Sequence, residues 1–188
     1  MNANDRTELL RLLARESYFE RELTLASGRA SNYYIDCKRT LYLPRGAHLA
    51  GELLLELAIA EGIGQLGGMA AGALPVTDAI VNAAFFRGYD LNGFFVRKET
   101  KAHGLQRRIE GPPLGSDDRC LVVEDVVTTG GSTLVAIEAL REAGHQICGV
   151  LSVLDRLAGG AQAIERAAGA PYRALTTIDE VHPERPDR

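Results

Sequence analysis

"CLVVEDVVTTGGSTLVAIEAL", residues 120–140, sets an apolar run, two acids, two threonines and two glycines in front of a segment with helical periodicity. Apolar residues at 134, 135, 137 and 140 share a helix face, and "CLVVEDV" is the short apolar run of a buried strand. Between them, "TTGGS" lets the backbone turn several N–H groups toward one anion, where the helix dipole adds about half a positive charge. A Thr or Ser here is also a candidate helix cap. No lysine follows the glycines, and G-x-x-x-x-G-K-[ST] occurs nowhere, so this is not an ATPase phosphate loop. The two acids, Glu124 and Asp125, would repel a phosphate unless they bind something else on the same ligand. Ribose hydroxyls and a Mg²⁺ ion are the chemical candidates.

The flanking sequence repeats the alternation of strand and helix. "DRTELLRLLARE" (5–16) predicts a first helix behind an Asp5 or Thr7 cap, and "ELTLAS" and "YYIDC" read as short strands around the turn "SGRASN". "PRGAHLAGELLLELAIAEG" (44–62) enters with proline and leaves with glycine, as helices do. "QLGGMAAG", "VTDAIVNAAFFRG", "LNGFFVR", "QICGVLSVLDR" and "AQAIERAAG" continue the pattern, which predicts an α/β protein: a central parallel sheet flanked by helices. Ligands in such sheets sit beyond the carboxyl ends of the strands, where residues 128–132 fall. "GIGQLG" (62–67) matches the dinucleotide fingerprint G-x-G-x-x-G, but it follows a helix and leads into a strand, so it reads as a helix end and turn.

Composition narrows the function classes. A chain of 188 residues, 46% hydrophobic and 24% charged, is long enough for one core, and one domain over 1–188 is expected. The three cysteines, Cys37, Cys120 and Cys148, have no metal-ligand spacing and read as reduced thiols. No stretch approaches the roughly 18–20 apolar residues that span a bilayer, and "MNANDRTELLRLLARESYFE" alternates charge with leucine, so a cytoplasmic protein is expected. A net charge of −4 argues against a nucleic-acid partner. Against that balance, Arg97, Lys98, Lys101, Arg107 and Arg108 face only Glu99 in "RKETKAHGLQRR" (97–108). The segment 97–118 has little apolar periodicity and is a candidate lid. The charged, proline-bearing "HPERPDR" reads as a frayed end.

Four apolar residues, two acids, two small apolar residues and Thr-Thr-Gly-Gly-Ser resemble the 5-phosphoribosyl-1-diphosphate (PRPP) motif of the type I phosphoribosyltransferases. Other segments choose among them. "ELTLASGRASNYYIDCKRT" (22–40) is similar to the N-terminal hood segment of the orotate phosphoribosyltransferase family, "VRKETKAHG" (96–104) to its mobile catalytic loop, and "SVLDR" (152–156) to its strand ending in Asp-Arg. The resemblance covers nearly the whole chain. It departs at Ala26, where some members have lysine, at "GGMAAGALPVTDAI", which lacks the Tyr-Lys pair some members carry near 71–74, and at Glu124, an aspartate in others.

The resemblance implies transfer of the ribosyl 5-phosphate group from PRPP to orotate, with a hood formed mainly by 1–40 and a mobile loop over 97–118. It implies catalytic roles for Lys101, His103 and Asp125. PRPP would be bound by Arg97, Lys98, Lys101, His103, Glu124, Asp125, Val126, Val127, Thr128, Thr129, Gly130, Gly131 and Ser132, with Thr133 beside them. Thr128 and Arg156 would bind orotate. Mg²⁺ would be held mainly by PRPP and water, with Asp125 as the candidate protein ligand. A homodimer is implied, its 97–108 loop shared across subunits, with neither nucleic acid nor membrane as partner. Two other readings stand beside this one: the same fold acting on another base, against which the hood and Arg156 argue, and a PRPP-sensing regulator that binds nucleic acid.

Overall fold

The strand at the centre of the opening motif carries the fold. In the computed structural model, which describes residues 3–24, 30–62, 64–98, 108–115 and 117–185, the run Arg119–Val127 forms a buried inner strand of a six-stranded sheet. The elements, in chain order, are α1 (Ala3–Leu12), β1 (Tyr18–Thr24), β2 (Ala30–Ile35), α2 (Lys38–Leu41), α3 (Pro44–Ala60), β3 (Gln65–Met69), α4 (Leu74–Phe86), β4 (Asn92–Val96), β5 (Ile109–Glu110), β6 (Arg119–Val127), α5 (Gly131–Glu142), β7 (Gln146–Asp155), α6 (Gly160–Ala168), β8 (Tyr172–Thr177) and α7 (Ile178–Val181). The spatial order is β5-β4-β3-β6-β7-β8, parallel except for β5, which runs antiparallel to β4. A separate antiparallel ribbon pairs β1 with β2.

Alternation along β6 sorts its side chains between two cores. Leu121 and Val123 pack with α1, α3 and α4 on one face, whereas Cys120 and Val122 pack with α5 and α6 on the other. Both faces are covered, which is why "CLVV" is a continuous apolar run instead of an alternating one. The chain leaves β3 through α4 toward β4 and leaves β6 through α5 toward β7, in opposite directions along the sheet. The loops after β3 and β6, which are neighbours, therefore part at a topological switch point and open a crevice between them.

The helices and inner strands fall where periodicity predicts them, and the fingerprint-like "GIGQLG" is a helix end: α3 stops at Ala60, Gly62 takes a left-handed φ of 66° and β3 begins at Gln65. Several expectations are corrected. The first helix begins at Ala3, so Asp5 lies in its first turn and Thr7 donates back to the Ala3 carbonyl instead of capping. Residues Leu13–Ser17 continue it as a π turn, and the hood strands lie several residues earlier than their apolar letters suggest. Within the candidate lid 97–118, Ile109–Glu110 pair with β4, so that part is not an irregular loop. β8 was missed because Leu175 is its only strongly apolar residue. The tail does not fray at His182: its ring stacks on Tyr18 at 4.0 Å between centroids, and Arg185 pairs with Asp179. Among the described residues no helix is long and apolar enough to cross a membrane.

Close approach of α3 and α4 depends on Gly51, where an added Cβ would press on the Ala79 carbonyl and lie 3.3 Å from the Ala79 methyl. Gly51→Ala should force the helices apart and destabilise the chain by about 1–3 kcal/mol. A lower denaturation midpoint by circular dichroism checks it, and an unchanged midpoint shows that the interface yields without cost.

Candidate active site

Strand β6 delivers Glu124 and Asp125 to the switch-point crevice nearly buried, with 3% and 7% exposure. Adjacent carboxylates at such depth need donors for their oxygens. Glu124 Oε2 accepts from Ser132 Oγ at 2.9 Å and Thr133 Oγ1 at 3.3 Å, both in the first turn of α5, while Oε1 accepts the Asp125 N–H at 3.2 Å. Asp125 Oδ1 accepts the Val126 N–H at 2.9 Å, and Oδ2 lies 3.2 Å from Lys38 Nζ. Gly72, in the loop after β3, closes over both acids: an added Cβ would lie 2.7 Å from Asp125 Oδ1 and 2.9 Å from Glu124 Oε1.

The turn that follows is glycine-dependent at one residue. Gly130 is the helix N-cap at φ 82° and lies against Ile164, so the expected Ser or Thr cap is absent and Ser132 serves Glu124 instead. Gly131 faces open space. Thr128, half-buried, accepts the Gly160 N–H at 3.1 Å through its carbonyl, fastening the turn to α6, and Thr129 is exposed. An α-helix leaves its first N–H groups without helical acceptors, and here they border the exposed face of residues 129, 131 and 132. The arrangement suits a phosphate.

A second arm comes from the next strand. The Arg156 N–H donates to the Val127 carbonyl at 2.8 Å, fixing the end of β7 beside the end of β6. Its guanidinium carbon lies 4.3 Å from the centroid of the Tyr33 ring, and Nε donates to Tyr33 Oη at 3.2 Å. Tyr33 belongs to β2, so the ribbon orients this cation from above. Asp155 Oδ1 accepts the Leu157 N–H at 2.7 Å, shaping the turn in which Leu157 holds a φ of 57°.

Arg97, Lys98 and Arg108 are the described part of the cationic segment. Arg97 directly follows β4; its N–H donates to the Arg108 carbonyl and its guanidinium pairs with Glu110 at 3.2 Å, and Lys98 is exposed. The structure thus gives Arg97 a cross-strand partner, Glu110. Lys101 and His103 lie outside the described residues.

The phosphoribosyl transferase domain model matches residues 44–167. An orotate phosphoribosyltransferase from Streptomyces avermitilis is 44% identical across 94% of this chain and 96% of its own, and one from Corynebacterium glutamicum is 45% identical across 96% of each. The chain belongs to the orotate phosphoribosyltransferase family. Among solved structures of that family, the Mycobacterium tuberculosis orotate phosphoribosyltransferase in complex with PRPP superposes with a TM-score of 0.79 at 38% identity, covering 94% of this chain and 98% of that one. An adenine phosphoribosyltransferase from Leishmania donovani, 17% identical with a TM-score of 0.64, shares the fold.

Sequence reasoning missed two residues that the structure brings against Arg156 and Asp125. Tyr33 was seen only as part of a strand, and Lys38 not at all. The available signal for Lys38 was the Asp-x-Lys spacing: Asp36 Oδ1 accepts the Lys38 N–H at 3.2 Å, an Asx turn that sets the lysine's direction. Burial would lower the Lys38 pKa, but the hydrogen bond and charge of Asp36, with those of Asp125, raise it overall. Beneath it, complete burial and then the charges of Asp125 and Asp36 push the Cys37 thiol well up, so it is an inert core residue.

Burial, followed by the adjacent Asp125 charge, raises Glu124 from its ordinary 4.5 to about 8. The folded chain therefore holds a proton that the unfolded chain releases, and this stabilisation is full below 4.5 and lost as the pH rises through about 8. Glu124→Gln cannot lose the proton. Its unfolding free energy, measured without substrate by urea titration, should fall less than that of the natural chain between about pH 5 and about pH 8. Parallel curves would show that Glu124 is already ionised in the folded state.

Proposed function

We propose that this chain transfers the ribosyl 5-phosphate group from PRPP to a nitrogen of orotate, forming orotidine 5′-monophosphate and diphosphate, a step of pyrimidine (UMP) biosynthesis. The observation that carries the reading is the buried Glu124–Asp125 pair running directly into the glycine turn at the start of α5. The carboxylates accept ribose hydroxyls, and Thr128 to Thr133 surround the 5′-phosphate. Arg156, with its planar fork, binds the orotate carboxylate, and Thr128 lines the same side.

As the new bond from nitrogen to ribose C1 forms, the C1–O bond to diphosphate breaks, leaving C1 electron-poor and the diphosphate more negative. Lys98, Lys101 and His103 supply positive charge to the leaving group, with Lys101 or His103 donating a proton or hydrogen bond as it departs. Arg97 takes part only by exchanging its Glu110 partner for a phosphate oxygen.

Among the described residues, no three His, Cys, Asp or Glu side chains converge as a metal cage. Two acids suit an ion carried in by the substrate, so Mg²⁺ would be held mainly by PRPP and water, meeting the chain at Asp125. Bound there, it would neutralise diphosphate charge. The chain acts as one phosphoribosyltransferase domain, in a cytoplasmic homodimer whose 97–108 loop covers the neighbouring subunit's site.

The reading is tested by supplying PRPP, Mg²⁺ and a panel of pyrimidine and purine bases, with orotidine 5′-monophosphate as the expected product. Formation of a purine nucleotide instead would overturn it. The shared loop has its own test: Lys101→Ala and Asp125→Asn homodimers should both be nearly inactive, whereas subunit exchange between them makes one intact site per heterodimer. Activity should return toward about half of the natural value per heterodimer. Proven exchange without recovery would assign Lys101 to its own subunit's site.

A further inference from the structure

Among the described residues, Lys38 is the cation that the structure places against the acid pair, and it comes from the start of α2, just after the ribbon. Its Nζ lies 2.8 Å from Asp36 Oδ1 and 3.2 Å from Asp125 Oδ2, so it bridges the end of β2 to the end of β6 across 87 positions of sequence. We propose that Lys38 is a positioning residue for Asp125, fixing the carboxylate for the ribose hydroxyls and cancelling its charge so that an acidic strand end admits a polyanionic substrate. This rests on PRPP being the substrate.

Three features of the geometry support a role beyond stability. Asp125 is held at both oxygens, Oδ1 by the Val126 N–H and Oδ2 by Lys38, so its plane is set before any ligand arrives. Each oxygen keeps a further lone pair for a hydroxyl. The Lys38 side chain is 38% exposed, and an ion pair with that much water contact contributes little to stability. Its charge nevertheless matters to a ligand carrying several phosphate charges, because Gly72 and the loop after β3 wall the same acids on the other side.

Lys38→Met keeps the length of the side chain and removes the charge. PRPP binding, measured by calorimetry with Mg²⁺, should weaken on the order of tenfold or more, while the KM for orotate changes by less than about twofold. Lys38→Arg should recover most of the loss. In an Asp125→Asn background, Lys38→Met should cost less than about twofold further, because the lysine acts through that carboxylate. Asp36→Asn, which loosens the lysine without deleting it, should weaken PRPP by a smaller factor and guards against misfolding of the first variant. A folded variant of either kind with natural PRPP affinity, or an undiminished cost in the Asp125→Asn background, overturns the proposal. A natural chain that binds PRPP but makes no product would instead sink the transfer reading and leave the binding comparison intact.

Discussion

Two neighbouring carboxylates buried at the end of one strand are the constraint on which the crevice depends. Their burial is tolerable only if donors reach both, and the donors come from three directions: the hydroxyls of Ser132 and Thr133, the backbone N–H of Asp125 and Val126, and the ammonium of Lys38. Each requirement shapes an element. α5 must begin close enough to β6 for its first-turn hydroxyls to turn back, which Gly130 permits by its left-handed φ. The loop after β3 must carry glycine at 72, since any side chain there would meet the acids. The short helix α2 must start immediately after β2, because that is what brings Lys38 over the strand end.

Sheet order then decides why these groups meet at all. With β3 and β6 adjacent and their connections running to opposite sides, the strand ends form a switch point at which the loop after β3 and the turn into α5 both border the acid pair. Two residues reach these strand ends from the N-terminal segment, Lys38 of α2 at β6 and Tyr33 of β2 at β7. Tyr33 is itself stacked on Tyr18, and Tyr18 on His182, so the orientation of Arg156 is supported by a column of rings that ends in the C-terminal tail.

What could be read from the sequence follows the range of the interactions. The acid pair, the glycine turn and α5 are contiguous, so residues 120–140 declare them together, and the helix on the wrong side of "GIGQLG" was enough to dismiss that match. Lys38 and Asp125 are 87 residues apart, Arg156 and Tyr33 are 123 apart, and no local pattern encodes either pairing. The Arg97–Glu110 pair was hidden for a related reason: β5 is two residues long and exists only because β4 supplies its partner. The Ser132 hydroxyl illustrates a competition that propensity cannot resolve. A serine at a helix start ordinarily caps it by accepting a backbone N–H, whereas here Gly130 holds the cap position and the Ser132 hydroxyl, in the first turn, donates to the Glu124 carboxyl eight residues earlier.

That competition bears on what the acids do for a ribose. Without ligand, Glu124 already accepts hydroxyl hydrogen bonds from its own helix, so a sugar hydroxyl arriving there exchanges one such bond for another. Exchange of like for like changes the count of hydrogen bonds little and contributes little net affinity. A ligand lacking the hydroxyl would gain nothing from displacing Ser132, whereas one placing a hydroxyl at the right height could free that side chain, and Thr133, to turn toward a phosphate. On the proposed reading, Glu124 therefore selects for a ribose more than it holds one, and the affinity resides in Asp125, held by Lys38 and the Val126 N–H, and in the phosphate contacts at the exposed start of α5.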